Sequence, residues 1–119
     1  IEKFAARMFQ PQDIPTGYLD YVGSDLSRRR STIKANKSDL LITSQALKQN
    51  FKFYRRIEMP VEIIHGNEDF LLPFKSQAVS FNQVIPNSRL HVLPNLGHMA
   101  HHFAFKELSN SIRYIRNFS

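Results

Sequence analysis

Pro60-Val61-Glu62-Ile63-Ile64-His65-Gly66-Asn67-Glu68-Asp69 is the stretch that decides the fold. A β-branched run from Val61 ends in a glycine and a polar turn, which reads as a short, mostly buried strand. Downstream, Phe74, Ala78, Phe81 and Val84 recur at helical spacing after Pro73, a residue suited to starting a helix. Pro86-Asn87-Ser88 makes a turn. Leu90-His91-Val92-Leu93 is a second strand, ended by Pro94, and Phe105, Leu108, Ile112 and Ile115 form a last helical stripe. Strand, helix, strand, helix over residues 58–119 predicts an α/β fold. Strands joined by one helix of about a dozen residues run parallel, with a right-handed crossover.

Before Ile57–Pro60 the pattern is helical throughout. Phe4 and Met8 sit four apart in a segment that stops at Pro11. Tyr18, Val22 and Leu26 form a stripe interrupted by Gly23. Leu40, Leu47, Phe51 and Tyr54 keep one face of a long helix apolar, with Ser38 placed as its N-cap. No stretch alternates with period two. Two parts are therefore expected: a helical segment, 1–57, and a βαβα unit, 58–119. No internal repeat or low-complexity run breaks this division.

The composition narrows the functional classes. Of 119 residues, 42% are hydrophobic and 22% charged, which fits a globular chain rather than a disordered or membrane-spanning one. No apolar run approaches the length of a transmembrane helix. Without cysteine there is no disulfide framework and no thiolate chemistry. The sequence opens at Ile1-Glu2-Lys3-Phe4 with neither a starting Met nor a signal-peptide pattern, so a piece of a longer cytoplasmic protein is expected. The net charge of +6 lies entirely in residues 1–56, which hold eleven Lys/Arg against five Asp/Glu. No aromatic or glycine pattern of a nucleic-acid module accompanies that surplus, so it reads as a solvated helical face. Neither nucleic acid nor a membrane is an expected partner. The non-enzymatic alternative is a basic helical module centred on Arg28-Arg29-Arg30, with Lys34 and Lys37, binding a polyanion.

Topology then places chemistry. Ligands in open α/β sheets sit beyond the carboxyl ends of the strands. Asp69 lies four positions past His65, and His98 five past Leu93. Neighbouring strands are about 4.8 Å apart, so the two loops emerge side by side. A carboxylate that accepts one imidazole N–H fixes the tautomer and leaves the other nitrogen to take a proton. Alone, Asp69 is ordinary turn chemistry and His98 an ordinary loop residue. Their matched placement after consecutive strands makes them the candidate catalytic pair. His98, His101 and His102 also have the i, i+3, i+4 spacing of a zinc site. No Glu stands inside the run as zincins require, and His98 precedes the helix, so no metal is expected.

These residues resemble a known family. Pro60-Val61 through His65-Gly66, with Asp69 and Pro73, is similar to the PVxxxHGxxDxxxP segment of α/β-hydrolase-fold enzymes. Ile85-Pro86-Asn87-Ser88-Arg89-Leu90 resembles that family's IPxxxL entry into its last strand, and Leu93-Pro94-Asn95-Leu96-Gly97-His98-Met99 its LPxxGHM histidine loop. Phe4 to Phe9, Ile14-Pro15, the Arg30 region, Asp39-Leu40 and Tyr54 more loosely resemble the helical cap of such hydrolases. The resemblance implies the carboxyl-terminal part of an α/β hydrolase, cap plus last two strands. Asp69 would orient His98, and His98 would activate a nucleophile, normally Ser, against an ester, amide or similar bond of a small-molecule substrate. Esterase-like or lipase-like acyl transfer is the commonest such reaction, and it needs no cofactor. Phe70 and Met99 would line an acyl pocket.

The departure is the nucleophile. No G-x-S-x-G elbow occurs, and none of the four glycines (Gly17, Gly23, Gly66, Gly97) brackets a Ser. Nucleophile and oxyanion hole are expected upstream, in a missing amino-terminal half. Two short strands make a poor sheet alone, so the chain is expected to pair with that half or self-associate through an exposed strand edge. A hydrolase-like binding scaffold without catalysis remains the alternative.

Overall fold

A computed structural model of the chain describes residues 2–23 and 29–118, excepting the side chains of residues 40, 41 and 44. Its helices are α1 (Glu2–Phe9), α2 (Tyr18–Tyr21), α3 (Arg30–Asn50), α4 (Ser80–Val84) and α5 (Phe105–Arg116). A 3₁₀ segment (Phe51–Arg56) extends α3, a π-type turn (Lys75–Val79) leads into α4, and a 3₁₀ turn (Ala100–His102) precedes α5. The strands are β1 (Val61–Gly66) and β2 (Ser88–Leu93). They pair in parallel, from Val61 opposite Ser88 to Gly66 opposite Leu93. The predicted α/β unit, with its parallel strands and intervening helix, is what the chain forms.

Pleating sends alternate residues to opposite faces. Ile64 and Leu93 fall on one face and meet Ala100, Ala104, Leu96 and Leu108 in a small apolar core. Glu62 shares that face, and its carboxylate is nearly buried beneath α5. The charge is met from three sides. Ser111 Oγ donates to Oε2 at 2.9 Å, and His91 Nε2 lies 2.6 Å from the same oxygen. Arg89 Nε stands 2.9 Å from Oε1, close enough for attraction but not aligned as a hydrogen bond. The Arg89 guanidinium also lies 3.6 Å from the centre of the Tyr114 ring, tying the strand to α5. An unmatched carboxylate here would cost several kcal/mol.

That carboxylate explains why α5 is rotated from its expected stripe. Phe105 and Ile112 are exposed, whereas Ser111 is buried against Glu62 and Leu108 packs on the core. A polar residue at a covered position hid the phase. β1 is half-buried rather than mostly buried, because it has one strand neighbour among the described residues.

The helical segment differs in three places. In α1 the buried residues are Ala5 and Phe9, while Phe4 is exposed. Phe9 has no exposed surface and packs against Tyr18, His102 and Phe103, a burial that contributes roughly 3 kcal/mol. The Tyr18 stripe is a single turn, since Gly23 takes φ 61°, a left-handed value that stops a helix. Ser38 is interior to α3, which already begins at Arg30. Leu26, Arg28 and the side chain of Leu40 lie outside the described residues.

Candidate active site

The loops after β1 and β2 are stitched together by backbone. Asn67 N–H donates to Leu93 O at 3.0 Å, and Glu68 N–H to Leu96 O at 2.9 Å. Asn95 N–H donates to the Asn67 side chain at 2.7 Å. Such an approach requires glycine at position 66, where a Cβ would stand 2.1 Å from Leu96 O.

This stitching brings the candidate pair together. His98 Nδ1–H donates to Asp69 Oδ2 at 2.9 Å. Asp69 Oδ1 accepts the amides of Leu71 and Leu72, both at 2.9 Å, so its own turn locks the carboxylate. The Asp69 side chain is 4% exposed and that of His98 24%. With Nδ1 donating, the His98 tautomer leaves its lone pair on Nε2. The pair thus has the geometry of a buried orienting acid and an accessible base.

His65 is a third member that the sequence did not reveal. Its Nε2–H donates to Leu72 O at 3.0 Å and lies 3.4 Å from Asp69 Oδ2. The His-Gly step reads as a strand end, and only the i, i+4 spacing from Asp69 hinted at contact. A cavity of about 440 Å³ is bordered by His65, Asp69, Leu72, His98 and His101. Phe70 is placed elsewhere, under the Arg7 guanidinium at 4.7 Å from its ring centre. Met99 is half-buried in the turn before Ala100 and does not border the cavity.

The three histidines do not converge. His98 is drawn to Asp69, while His102 packs on Phe9 and Tyr18 with its ring 4.4 Å from that of His101. Among the described residues no group of His, Asp or Glu is arranged to hold a metal ion. Nor is any described helix long and apolar enough to cross a membrane.

Burial, reinforced by His102 and His98, lowers the pKa of His101 below its ordinary value of 6.5. Folding therefore favours the neutral ring, and the unfolded chain binds the proton more readily. The resulting stability is complete above pH 6.5 and is lost as the pH falls through the lowered value. In urea titrations between pH 8 and pH 5, His101→Gln should flatten part of the acid-side decline. An unchanged pH dependence would contradict this coupling.

A parallel βαβ unit with an acid–imidazole pair beyond its strand ends defines an α/β protein with a site at the sheet's carboxyl rim. The chain belongs to the α/β hydrolase fold family, whose model matches residues 3–105. Among solved structures it is similar to a His-tagged serine hydrolase involved in carbazole degradation, the CarC enzyme. The TM-score is 0.51 at 20% identity, covering 72% of this chain and 35% of that one. The likeness is one of fold, and this chain spans about a third of that hydrolase's length. No curated protein matches.

Proposed function

We propose that this chain is the acid–base part of a hydrolase that splits an ester or similar bond. The observation that carries the reading is the 2.9 Å hydrogen bond from His98 to an Asp69 carboxylate already fixed by two backbone amides. His98 Nε2 takes the proton of a hydroxyl nucleophile as that oxygen attacks the substrate carbonyl. It then returns the proton to the leaving group, and Asp69 keeps the ring in register through both transfers. Nucleophile and oxyanion hole come from an amino-terminal region, whose strand would extend the sheet at the edge of β1 left free among the described residues.

An apolar groove of about 600 Å³ adjoins the site. Leu72 borders both cavities, and Leu47, Phe51 and Phe81 line the groove. It suits a substrate with an apolar arm, bringing helical residues of a cap-like segment into substrate binding.

The test is hydrolysis of chromogenic acyl esters. The 119-residue chain alone should show no turnover above buffer, and the protein including its amino-terminal region should show turnover that His98→Ala abolishes. Turnover that survives His98→Ala would refute the reading. In sedimentation, the chain alone should self-associate; a folded monomer would refute the free-edge argument.

A further inference from the structure

The segment that follows α1 grips the loop carrying His98. Gln12 Oε1 accepts the Gly97 N–H at 3.3 Å, and Gln12 Nε2–H donates to Asn95 O in a short contact. One carboxamide orientation satisfies both groups, since an amide N–H needs an acceptor and a carbonyl a donor. The neighbouring backbone closes tightly as well. A Cβ on Gly97 would lie 1.7 Å from Gln10 O, so residues 10–12 rest directly against the loop. Beyond His98, the fully buried Phe9 packs on His102 and Phe103 with ring centres 5.2 and 6.2 Å away. The loop is therefore held on both sides of the histidine by one amino-terminal segment.

We infer that Gln12 is a positioning residue for His98. Its side chain spans residues 95 and 97 and fixes the backbone from which the imidazole reaches Asp69. The inference rests on the proposed role of His98 as the base, but it can be read without turnover. Gln12 itself touches neither His98 nor Asp69 by hydrogen bond and acts only through the backbone. Losing two neutral hydrogen bonds should let the loop open roughly tenfold more often.

The experiment is solvent exchange of the His98 Nδ1 proton by NMR in the protein including its amino-terminal region, with the amides of Ile63 and His91, which the parallel register turns toward the partner strand, as internal controls. Asp69→Asn identifies the resonance by abolishing it. In Gln12→Ala, His98 Nδ1–H exchange should rise about tenfold while ladder amides stay within twofold. Gln12→Glu keeps the acceptor for Gly97 but loses the donor to Asn95, and should fall between wild type and Gln12→Ala. Equal acceleration of the ladder amides would reduce Gln12 to a general stabiliser and overturn the inference. So would His98 exchange unchanged in both variants. Neither result touches the hydrolase reading, which stands or falls on His98→Ala turnover.

Discussion

Asp69→Asn, in the protein complete with its nucleophile, is expected to lower turnover by about 10⁴-fold. The substitution keeps the size of the side chain, and one oxygen can still accept the Leu71 and Leu72 amides. The second position then carries an NH₂ facing His98 Nδ1. Two donors cannot share that contact, so the ring must place its proton on Nε2 and its lone pair on Nδ1. Nε2 is then unable to take a proton from a nucleophile. The loss should appear in kcat, with KM little changed, because the fault lies in proton transfer rather than binding. Steady-state ester hydrolysis measures it. A variant within tenfold of wild type would show that the 2.9 Å contact is structural only.

Gly97→Ala is expected to lower the thermal midpoint by about 10 °C, the equivalent of roughly 3 kcal/mol in a domain of this size. The added methyl would sit 1.7 Å from Gln10 O and 2.9 Å from Gln10 C, both backbone atoms with no rotamer to escape into. Either residues 10–12 lift away or the histidine loop retreats, and both responses separate α1 from the site. Gly17→Ala supplies the contrast. Nothing lies within 4 Å of a Cβ there, and the φ of 78° alone is strained, by about 1 kcal/mol. Midpoints followed by circular dichroism should therefore rank wild type, Gly17→Ala, Gly97→Ala. Equal midpoints for the two variants would mean that the close contact at Gly97 relaxes without cost.

The sheet and the Asp69–His98 pair were legible because they follow from local rules. A β-branched run before Gly66, a helical stripe after Pro73 and a second strand before Pro94 leave one topology, and that topology sets the two loops together. What sequence hid was tertiary. Phe9, rather than Phe4 or Met8, fills the interior because His102 and Phe103, more than ninety positions away, provide its pocket. The covered face of α5 departs from the apolar stripe because Ser111, a polar residue, sits against buried Glu62. α2 stops after one turn because the left-handed backbone at Gly23 outweighs the every-fourth-residue pattern. His65 and Gln12 carry no periodic signal at all. Each matters through a partner that only the folded chain brings near.

The alignment of β1 with β2 works like a vernier. Asp69 stands three residues beyond Gly66 and His98 five beyond Leu93, and Gly66 is opposite Leu93. Sliding one strand by a single residue would displace the acid relative to the ring by about 3.3 Å, more than the whole hydrogen bond. The same slip would invert the faces, turning Glu62 away from Ser111 and an isoleucine toward it. The ionic contacts under α5 thus act as a detent, holding the ladder at the one setting where acid and imidazole coincide.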